Sequence, residues 1–402
     1  MGAVSGDIYL DNAATSWPKP AVVLEAIQEF FAHAGGNTGR AGHHRSIAAS
    51  RSVSLAREQL SDLLGAESPD YLVFTKNATE ALNLAILGLA ADGARVVTTS
   101  LEHNSVMRPL RYLEQEGRIV LDVVPADGNT GHVELDAWAA HLRGAGLAVA
   151  THASNVTGAL LDVKALSERA AAARVPFVVD ASQSAGHVPL VLSELGAAAV
   201  AMPGHKGLLG PSGTGLLYLA PGIEVPPIMR GGTGSQSESE YQPDYAPDRY
   251  ESGTLNAMGV VGLGAAAGYL QSVGIDRVHA RLTELGRRFR DGLDGAEGVT
   301  LYGSVDPAQS SGILSLNVDG TPCATVARLL DDEWGVMTRA GLHCSPSAHR
   351  SLGTAPDGTL RFSWGNETTD AEIDTAVEAV REVAARSRGL ENSAIEPVRS
   401  SA

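Results

Sequence analysis

The sequence predicts an α/β protein with a mostly parallel central sheet and a smaller C-terminal α+β domain. Between about residues 20 and 260, short apolar, β-branched runs alternate with Ala/Leu-rich helical patterns, the rhythm of strands joined by helical crossovers. Several of those runs stop abruptly on polar residues, and ligands of open α/β sheets bind beyond the carboxyl ends of strands. The 402-residue length suits two domains with a cleft between them.

Taken in order, the strands are expected at 71–74, 95–99, 119–124, 148–152, 177–180 and 198–202. Their polar tips are Asn77-Ala-Thr-Glu, Glu102-His-Asn, Ser154-Asn and Ala181-Ser-Gln. Residues 222–256 are rich in Gly, Ser, Pro and acidic residues and lack periodicity, which predicts an extended functional loop. A Gly/Ala-rich helix at about 257–272 leads into the second domain, with strands near 313–318 and 360–364 and an amphipathic helix at about 370–386. The expected division is a large domain over 16–258, a small one over 1–15 with 259–388, and a polar, mobile tail over 389–402. No internal repeat is visible.

A formal net charge of −16 and a pI near 5.2 oppose binding to nucleic-acid phosphates or an anionic membrane. The start of the chain lacks a basic segment followed by an apolar one, the myristoylation pattern fails at Gly6, and no apolar run reaches the roughly 18 residues of a membrane span. A cytoplasmic protein is expected, so the glycosylation-like triplets at Asn77, Asn155 and Asn366 are read structurally. Two cysteines, Cys323 and Cys344, exclude a disulfide framework and a cysteine-rich zinc site. The histidines show no metal-ligand spacing, His43-His44 reads as a loop pair, and no metal is expected.

The chemistry begins at Met202-Pro-Gly-His-Lys206-Gly-Leu-Leu-Gly-Pro-Ser-Gly-Thr-Gly215, a lysine after an apolar strand followed by a Gly-rich hairpin. Schiff-base formation with an aldehyde cofactor is one job for a lysine so placed, although this segment alone reads better as an exposed loop. Asp180 ends the preceding strand about 26 residues earlier, a separation compatible with a crossover unit. A buried carboxylate there suits the protonated pyridine nitrogen of pyridoxal 5′-phosphate (PLP), while alone it reads equally as a helix N-cap. Asn77 and Glu80 have capping-box spacing, and the helix start they mark offers free N–H groups and the Thr79 hydroxyl to a phosphate. His103 supplies a ring at another strand tip, able to cover a pyridine face or simply to bond within a loop.

In order and spacing these segments resemble fold-type I PLP enzymes of the class V aminotransferase family, and within it the cysteine desulfurases. The resemblance runs from Tyr9-Leu-Asp-Asn-Ala-Ala-Thr-Ser-Trp-Pro-Lys-Pro20 to Leu360-Arg361-Phe-Ser. It implies that Lys206 carries the cofactor as a Schiff base, Asp180 pairs with the pyridine nitrogen, Gln183 bonds the phenolic oxygen and His103 stacks on the ring. It further implies that Thr79, His205 and the backbone at Ala78 hold the phosphate, and that Glu251-Ser-Gly-Thr254-Leu-Asn reaches the phosphate of a neighbouring subunit in a homodimer. Asn12, Asn155, Arg339 and Arg361 are implied in substrate binding, Arg361 gripping the α-carboxylate through its bidentate fork. A serine is usual where Pro203 stands, which removes or replaces one phosphate donor.

A fold cannot name a reaction; the site must. Thr338-Arg339-Ala-Gly-Leu-His343-Cys344-Ser-Pro resembles the short active-cysteine loop of the SUF-type desulfurases and selenocysteine lyases. A thiolate attacks the sulfur of a PLP-bound cysteine, and His343 together with the Arg339 charge is expected to lower the thiol pKa. Cys323, in Thr-Pro-Cys-Ala-Thr, lacks such context and reads as structural. The expected reaction moves sulfur from L-cysteine to Cys344 as a persulfide and releases L-alanine, with Lys206 as the base and a sulfur-acceptor protein downstream. The segment from Met229 to Glu240, with Tyr241-Gln-Pro and Arg249-Tyr-Glu, resembles a less-characterised branch of the family in which substrate and acceptor are open. Another C–S or C–Se lyase, or an aminotransferase, would use the same lysine, the latter without needing Cys344; a non-catalytic PLP scaffold is the remaining alternative.

Overall fold

The computed structural model describes residues 6–39 and 42–395, with side chains described as far as Arg388. In chain order β1 (Ile8–Tyr9), α1 (Ala21–Glu29) and α2 (His44–Leu64) come first. Then follow β2 (Leu72–Thr75), α3 (Ala78–Leu89), β3 (Ala94–Thr99), α4 (Asn104–Gln115), β4 (Ile119–Val124), α5 (Leu135–Leu142), β5 (Leu147–Thr151), α6 (Val163–Ala172), β6 (Phe177–Asp180), β7 (Ala199–Pro203) and β8 (Gly215–Leu219). The remainder holds α7 (Ala257–Val273), α8 (Ile275–Gly292), β9 (Val299–Tyr302), β10 (Ile313–Val318), α9 (Cys323–Trp334), β11 (Val336–Met337), β12 (Arg339–Gly341), α10 (Pro346–Leu352), β13 (Thr359–Ser363) and α11 (Asp370–Ile395).

The central sheet has seven strands in the order β2-β8-β7-β6-β5-β3-β4, parallel except for β8. β8 reverses because the connection over 204–214 is too short for a parallel crossover, which needs about a dozen residues or more. Both faces are covered, so the strands are almost wholly apolar. Val73, Val96, Val149, Val178 and Ala199 pack against α3 and α4. Their alternate neighbours Val97, Ala148, Ala150, Val179, Val200 and Met202 face a larger core built from α2, α5, α6 and α7.

A four-stranded antiparallel sheet, β12-β13-β10-β9, forms the second layer system, backed by α8, α9 and α11. The chain's beginning joins it: β1 pairs in parallel with β11, and Ser363 N donates to Leu10 O at 2.8 Å. This brings Asn12 and its neighbours to the seam between the two sheets.

The predicted strands are observed within one residue of their expected limits. The expected end of the last helix moves. α11 continues to Ile395 through a stretch whose polarity reads as tail, while residues 396–402 lie outside the described residues. Arg386 pairs with Glu333 and Glu382, Arg388 pairs with Glu297, and Thr321 Oγ1 donates to Ser387 Oγ at 2.8 Å, contacts that hold the helix past residue 386. The triplet asparagines have structural places: Asn77 caps α3, and Asn155 is buried. Of the expected loop pair, His43 caps α2 and His44 begins it. Among the described residues no single helix is long and apolar enough to cross a membrane; α7 and α8 would qualify only as a pair, bent by 78°.

Candidate active site

The parallel strands deliver four side chains to one end of the sheet. Asp180 is the last residue of β6, 1% exposed, and its Oδ1 accepts the Ser182 N–H at 2.9 Å in a tight turn. Next to it, beyond β3, Glu102 is fully buried; its Oε1 accepts Thr99 Oγ1 at 2.6 Å and Thr151 N at 3.0 Å. Burial above all, with a smaller push from Asp180, raises its carboxyl to about 8 against those hydrogen bonds. His103 caps α4, its Nδ1 accepting Ser105 N at 3.0 Å. Burial, aided by Lys206 and opposed by Asp180, lowers its pKa to about 4, so the ring is neutral near pH 7.

Lys206 follows β7 in a hairpin that returns as β8. Two glycines are required by close approach: a Cβ on Gly204 would lie 2.1 Å from Thr214 Oγ1, and one on Gly207 2.4 Å from Ala185 O. The N-terminal segment grips this hairpin. His205 O accepts Ser16 N at 3.0 Å, Thr15 Oγ1 at 3.1 Å and Lys19 Nζ at 2.8 Å, while Ser16 Oγ lies 3.0 Å from Lys206 O. The Lys206 amine sits deep among protein atoms, and its pKa falls to about 8, chiefly through burial, with Asp180 working against that and Arg361 and Arg339 adding to it.

The substrate side is drawn from the second sheet. Arg361, in the middle of β13 and 2% exposed, sends Nη1 to Asn155 O and Nη2 to Asp11 Oδ1, each at 2.9 Å. Asn12 is spent on the backbone: its amide lies 3.3 Å from Tyr9 O and 3.2 Å from Ser363 O, and its Oδ1 accepts Trp17 N at 3.1 Å. In this structure Asn12 shapes the segment that carries Asp11. Arg339, exposed on β12, lies opposite Arg361 in the sheet register.

Cys344 is exposed on the turn that follows β12. Ser345 N donates to Leu342 O at 2.9 Å across His343 and Cys344, whose φ values are +48° and +59°. That is the φ signature of a type I′ turn, normally filled by Asn and Gly, and each side chain forced into it costs about 1–2 kcal/mol. Of the two residues expected to act on the thiol, His343 turns its ring into the core. Its ring is buried, Nε2 lies 3.1 Å from Thr359 O, and burial together with Arg361 lowers its pKa to about 2.

A class-V aminotransferase model matches residues 8–376. The chain belongs to that family. This class-V aminotransferase family member is 36% identical over 387 residues to a probable cysteine desulfurase of Methanothermobacter thermautotrophicus, covering 94% of each chain. A probable cysteine desulfurase of Pyrococcus abyssi is 34% identical, again over 94% of each. Among solved structures, the apo cysteine desulfurase of Thermococcus onnurineus NA1 superposes with a TM-score of 0.86 at 33% identity, over 94% of this chain and 95% of that one. The Escherichia coli cysteine desulfurase CsdA, as its S-sulfonic acid, gives 0.84 at 28% identity, over 96% and 95%. The architecture is fold-type I, and the chain is a PLP-dependent enzyme.

The residues of this class-V enzyme fit that cofactor. Gln183 Oε1 and His205 Nδ1 are buried without a hydrogen-bond partner, and Asp180 and Lys206 lie within electrostatic reach of one another. Gln183 Nε2 is 3.2 Å from Ala13 O. At the rim, Ala78 and Thr79 form the first turn of α3, where Asn77 Oδ1 accepts Glu80 N at 2.9 Å and Glu80 Oε2 accepts Lys76 N at 2.6 Å. Pro203 is buried and pairs with Gly215. Thr254 is exposed on the long loop. Cys323 opens α9, its sulfur 3.5 Å from Asp357 O. Asp11 and Ser345 escaped sequence reasoning; Asp11 was one residue from Asn12, whereas nothing in the chain order pointed to Ser345.

Proposed function

We propose that this chain is a cysteine desulfurase that transfers the sulfur of L-cysteine to Cys344 and releases L-alanine. The observation that carries it is the placement of an exposed thiol on a strained turn, tied through Asn155 to Arg361 and through Asn104 N, which donates to Cys344 O at 2.8 Å, to the His103 wall of the Lys206 cleft. The names of the relatives support the same reading.

Bound PLP supplies an electron sink for charge that develops at the substrate Cα. Lys206 would hold it and move the Cα proton, with Asp180 suited to the pyridine nitrogen, Gln183 to the phenolic oxygen and His103 to the ring. Ala78, Thr79 and His205 would hold the phosphate, and Thr254 would reach the site of a second subunit. Arg361 would take the substrate carboxylate with Arg339 beside it, while Asn155, through its carbonyl oxygen, and Asn12, through the segment that carries Asp11, hold Arg361 in place. The Cys344 thiolate attacks the substrate sulfur; an S–S bond forms as the C–S bond breaks, and that bond's electron pair stays with the three-carbon fragment, which is protonated and leaves as alanine. An acceptor protein or thiol then removes the persulfide sulfur.

The reading includes a cytoplasmic homodimer, supported by exposed apolar side chains on and beside α1 and α2: Trp17, Leu24, Phe31, Ile47 and Leu55. It also takes 16–258 as the large unit, and 1–15 with 259–388 as the small one, supported by the β1–β11 pairing. Alanine and sulfide release from L-cysteine, measured with reductant for wild type and Cys344→Ala, tests the reaction. The wild type is expected to release both in equal amounts and the variant to lose sulfide release; unchanged release by the variant refutes transfer through Cys344. Loss of the cofactor absorbance band in Lys206→Ala tests the anchor separately.

A further inference from the structure

The amide of Asn155 is spent on the two residues that flank Cys344. Its Nδ2 donates to His343 O at 2.6 Å, and its Oδ1 accepts the Ser345 hydroxyl at 2.6 Å. All three groups are buried, Ser345 completely. The turn they bracket places two non-glycine residues at positive φ, a conformation that persists only where its surroundings over-determine it. Outside the bracket the turn is held by Asn104 N on Cys344 O and by the His343 ring near Thr359.

We propose that Ser345 is a positioning residue for Cys344, acting through Asn155. The hydroxyl and the amide form a two-point clamp across the reactive cysteine, so that the thiol is presented in one orientation. Asn155 also links this clamp to the substrate-carboxylate arginine, because its own carbonyl oxygen accepts Arg361 Nη1 at 2.9 Å. A ligand that draws Arg361 toward itself therefore pulls on the same residue that sets the cysteine turn.

The inference rests on the desulfurase reading for its kinetic arm only; a second arm needs no turnover. In PLP-loaded Ser345→Ala the turn loses one of its two clamping bonds and relaxes. Cys344 is then expected to react with iodoacetamide at least about threefold faster, with Cys323 unchanged as the internal control, both read by peptide mass spectrometry. With L-cysteine, kcat is expected to fall about tenfold while KM and the cofactor absorbance stay within about twofold, because the carboxylate grip and the anchor are untouched. Faster alkylation together with slower turnover is a signature that general damage does not produce. Alkylation within twofold of wild type, or alkylation and kcat falling together, overturns the proposal. Should Ser345→Ala fail to retain PLP, Asn155→Asp opens the clamp from its other side by replacing the donor to His343 O with an acceptor, and the same rise in Cys344 alkylation is required of it. If wild type releases no sulfide, the function fails while the alkylation arm still decides the clamp.

Discussion

Lys206 shows how a burial effect becomes a chemical property at the scale of one side chain. A primary amine attacks an aldehyde only when neutral, and lowering its pKa from the ordinary 10.5 to about 8 raises the neutral fraction near pH 7 about 300-fold. The rate at which cofactor-free protein captures PLP is therefore expected to climb with pH and level off above about pH 8, followed by absorbance in a stopped-flow mixer. A rate that keeps rising to about pH 10 would place the amine at its ordinary value. Asp180 ends β6 and Lys206 follows β7 by three residues, so periodicity located both strand tips, while the family resemblance supplied their roles. The Arg361–Asp11 pair was not legible, because its partners are 350 residues apart in the chain and meet only through the β1–β11 and β13 seam. The direction of the His343 ring was not legible for a related reason: sequence adjacency to Cys344 says nothing about which way a ring turns, and the I′ turn sends it into the core.

The long loop over 222–256 belongs to the scale of elements. Its composition predicted an extended segment, and its far end is pinned to β2 by a buried ion pair. Arg57 of α2 grips Glu251 with both nitrogens at 2.7 and 2.8 Å, both side chains being about 10% exposed, and Glu251 Oε1 also accepts Phe74 N at 2.7 Å. The guanidinium lies 4.2 Å from the centre of the Phe74 ring. Glu251→Ala leaves the buried Arg57 charge without its counter-ion, with Leu72 O as its remaining hydrogen-bond acceptor, and the Phe74 N–H without its carboxylate acceptor, a loss of about 3–5 kcal/mol. The expected result is a lower thermal midpoint and faster tryptic cleavage within 222–256. A variant that melts with wild type and resists the protease equally would show that the pair is dispensable.

For the whole molecule, buried ionisable groups set a pH window of stability. Glu102, raised to about 8, binds a proton in the folded protein that the unfolded chain releases near pH 4.5; its contribution is present below the ordinary carboxyl range and is lost as pH rises through about 8. His152 and His187, lowered by burial to about 4, act with the opposite sign: their contribution is present above the ordinary imidazole pKa and is lost as pH falls toward 4. Glu102→Gln removes the alkaline loss. Its melting temperature is expected to gain on wild type between about pH 5 and about pH 8.5, and a constant offset across that range would remove Glu102 as the cause.

By itself the sequence determined the layered α/β plan, the strand tips that carry Lys206, Asp180 and His103, and, through motifs that resemble a known family, the cofactor. Strand periodicity and short-range spacing are local properties, and a linear chain displays them directly. What only the tertiary structure decided is how the thiol is held: a strained turn at His343 and Cys344, clamped by Asn155 from about 190 residues away and linked through it to Arg361. Hydrogen bonds of that range exist only after both sheets have docked, and so does the burial that sets the pKa of Lys206, Glu102 and His343.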